Sequence, residues 1–146
     1  MTQVKVRSGD VVAIPAGAGK RIAAKVLFLS KRNKDVALFA LTDREFAASD
    51  ATSEMAWTDD KLFVYSSSVP VRRGDWPVVG HLPLGEAEAV ASRRIVGGEV
   101  WVGDEYLGPA SPEDSATLPP MDVLGARLVE RKAERLLAAV PVPTPP

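Results

Sequence analysis

The chain contains short stretches in which apolar and polar side chains alternate, and others that are continuously apolar. Glycine-rich or polar turns separate them. Such stretches are typical of β-strands, whose side chains point to opposite faces in turn. A glycine-rich loop at 16–19 and a polar turn at 31–35 join the first three stretches, which predicts an antiparallel meander. The predicted strands of the first half cover Val11–Pro15, Lys20–Ser30, Val36–Thr42 and Lys61–Tyr65.

The next apolar run, Trp76–Leu84, contains two prolines. Because Pro77 and Pro83 cannot donate to a sheet ladder, we do not expect a regular central strand there. Arg94–Val102 predicts a hairpin, since the Gly97–Gly98 pair supplies the positive φ angles of a two-residue turn between β-branched runs.

Two stretches lack a strand pattern. Residues 43–59 combine alanines with charges, which allows a short helix near Arg44–Ala48 before Ser49 and Asp50 interrupt it. We interpret this stretch as an excursion outside the core. Leu107–Pro120 is predicted to be a proline-rich connection.

An amphipathic pattern predicts a helix from about Pro120 to Ala139. Its charged face would carry Arg127, Glu130, Arg131 and Glu134, and its apolar stripe would carry Val129, Ala133, Leu136, Leu137 and Val140. Because a sheet needs one covered face, we expect this helix to pack across it. The predicted fold is α+β and mainly β: a curved antiparallel sheet, or a partly closed SH3-like barrel, with a C-terminal helix on it.

The chain of 146 residues predicts one domain over 1–140, followed by a flexible proline-rich tail over 141–146. It has no cysteine, which excludes disulfides and thiolate metal sites. Met1–Arg7 lacks the apolar segment of a secretory signal, and no apolar run approaches the roughly 18 residues of a membrane span. We therefore expect a cytoplasmic protein without a membrane partner.

The net charge of −1 conceals local patches. Residues 20–34 hold six bases and no acid, residues 43–60 hold six acids and one base, and residues 99–114 hold five acids and no base. A near-neutral total disfavours nucleic acid as a partner, although Arg72–Arg73 and Arg93–Arg94 could bind phosphate.

The sequence contains no complete catalytic or cofactor motif. Gly17–Lys20 resembles part of a phosphate-binding loop, but Ile14 and Arg21 stand where that loop needs a glycine and a Ser or Thr. His81 is the only histidine, and we expect it to make a structural hydrogen bond. The carboxylate pairs Asp59–Asp60 and Asp104–Glu105 are neighbours in sequence, so they do not form a glycosidase pair by themselves. We expect no enzymatic activity, no cofactor and no metal.

The three tryptophans divide into two groups. Trp76 and Trp101 are predicted to be core residues, because each lies in or beside a strand pattern. Trp57 lies among acids, where it could anchor a basic partner or fold back onto the sheet.

Two blocks of the sequence resemble the immunity protein 26 family, small bacterial antitoxins. They are Gly9–Pro15, a Gly-Asp turn before an apolar strand that ends in Ile-Pro, and Trp76–Gly80, a Trp-Pro segment followed by Pro83. A late strand such as Ile95–Val102 also fits the family. The resemblance covers roughly residues 5–103 and concerns turns and core positions.

The resemblance implies an immunity protein that binds and neutralises a cognate bacterial toxin stoichiometrically, without catalysis. For a basic nuclease as toxin, the acidic excursion would be the docking surface, formed by Asp50, Glu54, Trp57, Asp59 and Asp60. A second hypothesis is a small SH3-like module that binds nucleic acid or a peptide through its basic 20–34 stretch. A third is an enzyme that uses His81.

Overall fold

The computed structural model describes residues 5–32, 35–45 and 62–139. Its strands form two sheets, one of six strands and one of three. The strands are β1 (Asp10–Pro15), β2 (Arg21–Leu29), β3 (Val36–Glu45), β4 (Leu62–Ser67), β5 (Val78–His81), β6 (Arg94–Val96), β7 (Glu99–Val102), β8 (Glu105–Pro109) and β9 (Val123–Leu124).

Four helices lie in the same ranges, three of them short. They are α1 (Val69–Arg73), α2 (Glu86–Ala89), α3 (Pro112–Thr117) and α4 (Ala126–Ala138). None of them has the length and apolar character that crossing a membrane requires.

The large sheet has the strand order β5-β1-β2-β3-β4-β9. The pairs from β1 to β4 are antiparallel, which confirms the predicted meander. A tight turn with positive φ at Gly17, Ala18 and Gly19 joins β1 to β2. The sheet is not closed into a barrel, so of the two predicted forms the open sheet is the observed one.

The two sequence blocks that stood out are neighbours in the fold. β5 pairs with β1 at the sheet edge, where Asp10 lies opposite His81 and Val12 lies opposite Val78. This edge position agrees with the prediction that the proline-bounded run is not a central strand. The register shifts between Val11 and Val12, and the Pro77 carbonyl accepts a hydrogen bond from Ala13.

One face of the large sheet packs against α4. Val129 and Ala133 are fully buried there, and Leu136 and Leu137 pack against the same core while partly exposed, which confirms these four positions of the predicted stripe. Val140 lies outside the described residues. The Trp76 ring is also fully buried and meets Phe39 edge-on, with ring centroids 5.5 Å apart. Its indole N–H donates to Glu130 Oε2 at 2.8 Å. Glu130, a residue of the predicted charged face of the helix, therefore supplies the acceptor that this buried N–H needs.

The opposite face carries a smaller cluster and the three-stranded sheet. Leu27, Leu38, Ala40 and Tyr65 are buried in the cluster. The predicted hairpin is confirmed as β6 and β7, with positive φ at Gly97 and Gly98.

The C-terminal helix begins six residues later than predicted, at Ala126. Val123 and Leu124 instead pair with β4, and the Ser66 hydroxyl donates to the Leu124 carbonyl at 2.6 Å. Tertiary pairing therefore overrides the helical pattern in this segment.

The predicted connection at 107–120 was also wrong, because it contains the end of β8 and the helix α3. A reciprocal capping box starts α3: Asp114 N–H donates to Ser111 Oγ, and Ser111 N–H donates to Asp114 Oδ2, each at 3.0 Å. Arg44 and Glu45 belong to β3 rather than to a helix. The rest of that predicted helix and the tail at 141–146 lie outside the described residues.

Candidate functional site

The predicted acidic docking surface lies outside the described residues, as do all five of its members. Among the described residues, an aromatic cluster on the small sheet presents the side chains that protein partners use most. We call it the Trp101 cluster, and it consists of Arg32, Trp101 and Tyr106.

Trp101 and Tyr106 are direct cross-strand partners on β7 and β8. Their ring centroids are 5.4 Å apart and the rings are tilted by 60°. Trp101 is half-buried rather than a core residue, so its predicted core position was wrong, and Tyr106 is 47% exposed. The small sheet explains the difference, because with three strands it leaves part of this face open to solvent.

Arg32 comes from the turn between β2 and β3 and lies over the Trp101 ring. Its guanidinium carbon is 4.5 Å from the ring centroid, which is a cation–π arrangement. Arg32 is exposed, so the guanidinium caps the indole and stays accessible to a partner. The cluster thus joins residues that are about 70 positions apart in the chain.

The Asp104 carboxylate fixes that turn against the β7–β8 turn. It accepts the Ser30 hydroxyl at 2.6 Å and the Lys31 amide at 2.7 Å. Desolvation acts to raise the pKa of Asp104, but hydrogen bonds from Ser30, Lys31 and Arg32 outweigh it and hold the pKa below 3.8. The ionised carboxylate therefore positions the Arg32 backbone.

Arg94 holds the β7–β8 turn through its buried guanidinium. Its guanidinium donates to the Gly103 carbonyl at 2.8 Å and to the Ser92 carbonyl at 3.0 Å. It also lies 5.4 Å from the ring centroids of Phe28 and Tyr65. Arg94 is 2% exposed, and carbonyl oxygens and ring faces stabilise its charge. The Asp104 carboxylate also interacts with this charge, which contributes to the lowered pKa of Asp104.

The strands β7 and β8 and the helix α3 carry several exposed carboxylates. Glu99, Glu105 and Glu113 are exposed and form no salt bridge with a described residue. Arg93 lies 3.8 Å from Asp114 on α3. Aromatic rings with a stacked cation are the groups that protein interfaces use more often than the rest of the surface does.

His81 makes the structural hydrogen bond that the sequence predicted. Its Nδ1 lies 2.8 Å from Asp10 Oδ1, and Asp10 is 2% exposed. The same carboxylate accepts the Arg7 amide at 2.8 Å, so the pair holds the segment before β1 against β5. Within the described ranges, no three His, Asp or Glu side chains come together as metal ligands would.

The basic 20–34 stretch does not form one exposed surface. Lys25, in its middle, is 3% exposed, and its ammonium lies 2.9 Å from Glu88 Oε2 and 3.4 Å from the Pro83 carbonyl. The exposed bases of this stretch fall into two pairs, Lys20–Arg21 at the start of β2 and Lys31–Arg32 in the turn after it. The strand between them is roughly 26 Å long, and Lys34 lies outside the described residues.

The sequence contained part of the signal for the Trp101 cluster. The Gly97–Gly98 turn places Trp101 in a hairpin, and the Gly103–Asp104 pair is a turn signal before Tyr106. The contact with Arg32 had no local signal, because it depends on how the two sheets meet. Comparison of the chain with protein-family models gives no match, and no curated protein or solved structure matches it significantly.

Proposed function

We propose that the protein is an immunity protein that binds a cognate bacterial toxin in a stoichiometric complex and neutralises it without chemistry. The observation that carries this proposal is the Trp101 cluster. Tryptophan, tyrosine and arginine are the residue types that most often dominate the energy of protein interfaces. Here all three occur together: Trp101 and Tyr106 lie on the strands that flank the β7–β8 turn, and Arg32 lies on the β2–β3 turn that Asp104 fixes against it.

The anchoring favours protein binding for an energetic reason. Ordering a long side chain at an interface costs about 0.5–1.5 kcal/mol. The Trp101 ring already contacts the Arg32 guanidinium and the Tyr106 ring, so these side chains are partly ordered before binding and less of that cost remains. The resemblance of Gly9–Pro15 and Trp76–Gly80 to immunity proteins gives the expected partner its class, a toxin made by the same cell.

The acidic residues of the 43–60 excursion remain part of the proposal as a steering surface for a basic toxin. The acidic residues of the excursion would form one negative region, and Glu99 and Glu105 would form a second. Opposed charges accelerate association more than they strengthen the final complex.

Co-expression with the polypeptide encoded by the neighbouring gene tests the proposal. We expect this chain to restore growth and to co-purify with that polypeptide at equal stoichiometry. A Tyr106→Ala variant should lose co-purification, whereas Leu128→Ala, a matched exposed residue on α4, should keep it. Binding to single-stranded DNA or RNA that weakens steeply with salt would instead favour the nucleic-acid module.

A further inference from the structure

The residues 83–91 form a strap over the face of the large sheet that carries the small sheet, and both ends of the strap are attached. Before it, the Leu82 amide donates to the Gly9 carbonyl at 2.8 Å. After it, the Ser92 carbonyl accepts the Tyr65 hydroxyl at 3.2 Å. The helix α2 lies in the middle of the strap. These attachments limit any movement of the strap to the residues between them.

Few apolar contacts hold the strap on the sheet. Leu84 and Ala91 pack against the buried cluster beneath, and both stay partly exposed. Val90 is 56% exposed, and none of the residues of α2 is buried. Within the described ranges, the backbone of the strap forms backbone–backbone hydrogen bonds only with residues 83–93. Burial of apolar surface therefore contributes little to its attachment.

A buried ion pair joins the strap to β2. The Lys25 ammonium lies 2.9 Å from Glu88 Oε2 and donates to Glu88 Oε1 at 3.0 Å. Lys25 is 3% exposed, and the residues opposite it on the neighbouring strands are Val11 and Ala40, both fully buried and apolar. The Pro83 carbonyl, at 3.4 Å, is the second acceptor of the ammonium among the described residues. Both acceptors belong to the strap, so the buried charge depends on the strap for its compensation.

The burial of this pair makes its net contribution to closure small. Two charges lose hydration when they are buried, and their attraction often repays no more than that loss. Glu88 Oε2 is buried, and no described residue donates a hydrogen bond to it, so part of the lost hydration is not replaced. Movement of the strap away from the sheet returns both charges to water. The regained hydration offsets the broken ion pair, which keeps the free energy of opening low.

We propose that the strap opens and closes while the rest of the protein stays folded, with the Lys25–Glu88 pair as its latch. Opening exposes the Lys25 ammonium beside the apolar cluster on which Leu84 and Ala91 pack. It also unfolds α2, because four residues are too few for a stable helix in water.

The open strap leaves the surface proposed for toxin binding in place. Ser92 remains attached, and its hydroxyl accepts the Gly103 amide of the β7–β8 turn at 2.8 Å. The Trp101 cluster on the strands beside that turn therefore keeps its position. Opening of the strap is a property of the chain alone and does not depend on the proposed function.

Hydrogen exchange of the isotopically labelled full chain, followed by nuclear magnetic resonance in low concentrations of urea, tests the proposal. The Ala89 and Ala91 amides report closure, because they donate to the Gly85 and Glu88 carbonyls inside the strap. Relative to their unprotected rates, we expect them to exchange at least about 100-fold faster than the Ala40 amide in the middle of β3. Their rates should hardly depend on urea, because opening exposes little surface.

A matched pair of variants on α2 tests the latch itself. Glu88→Gln keeps an oxygen that can accept the Gly85 amide, as Glu88 Oε1 does at 3.0 Å, but leaves Lys25 without a counter-charge. The strap amides should then exchange at least about tenfold faster, since an unpaired buried charge destabilises the closed state. Glu86→Gln removes a neighbouring exposed charge that forms no salt bridge with a described residue, and should change these rates less than about twofold.

Three results would overturn the proposal. The first is wild-type exchange at the strap amides that is as slow and as urea-dependent as at Ala40, which would mean that the strap opens only on global unfolding. The second is equal exchange in Glu88→Gln and Glu86→Gln. The third is exchange of the β7 amides together with the strap, which would mean that the small sheet opens with it.

Discussion

Replacement of Arg94 by lysine tests whether a buried guanidinium joins the two sheets. Lysine keeps the charge, so the desolvation cost stays, but a single ammonium cannot reach the Ser92 and Gly103 carbonyls in a fixed fork. Losing one hydrogen bond from a charged group costs about 1.5–3 kcal/mol. Weaker stacking on the Phe28 and Tyr65 rings adds up to about 1 kcal/mol.

We therefore expect Arg94→Lys to lower the free energy of unfolding by about 1.5–4 kcal/mol. Urea denaturation followed by tryptophan fluorescence measures it, and Arg93→Lys is the matched control. Arg93 is half-exposed and lies 3.8 Å from Asp114, so its replacement should cost less than about 0.5 kcal/mol. Equal, small losses in the two variants would refute this account of Arg94.

Three further predictions concern titration and charge. Asp104 has a pKa below 3.8 in the folded protein, so it stabilises the fold above that pH and loses this contribution as the pH falls. Asp104→Asn should therefore flatten the acid side of a denaturation series, and an unchanged acid side would contradict the assignment. Burial raises the pKa of Tyr65 to about 12, against a smaller lowering by the nearby guanidinium. In a Tyr106→Phe variant, Tyr65 is the remaining tyrosine, and absorbance at alkaline pH should show that its phenol ionises near pH 12 while the chain is folded. The stabilisation by the neutral Tyr65 phenol should be lost as the pH rises from 10 towards 12. Replacing Asp59 and Asp60 with lysine should slow association with a basic toxin at low salt, measured by stopped flow, and unchanged rates would remove the steering role.

Local patterns predicted the elements whose formation depends on local sequence. The β1–β2 turn, the Gly97–Gly98 hairpin and the apolar stripe at Val129 and Ala133 each have a nearby signal, and each is present. The first residues of the predicted helix failed because pairing with β4 gives Val123 and Leu124 different partners. Such partners are distant in the chain, so the periodicity of a short window does not contain them.

In the candidate site, too, some features have a local signal in the sequence and others depend on distant contacts. Tyr106 and Trp101 could be placed on neighbouring strands by their turns, but the exposure of Trp101 depends on how few strands the small sheet has. The role of Lys25 was also non-local, since Glu88 is 63 residues away along the chain. The run of bases predicts that Lys25 lies on the surface, but its ammonium is buried beside the carboxylate of the distant Glu88.

Calorimetric titration of the purified chain with the polypeptide encoded by the neighbouring gene tests the central claim most directly. The account predicts a one-to-one complex whose affinity falls by about 30-fold to 1,000-fold in Trp101→Ala, as for an interface residue worth roughly 2–4 kcal/mol. The absence of a complex, full affinity in the variant, or turnover of a substrate that disappears in His81→Gln would contradict it.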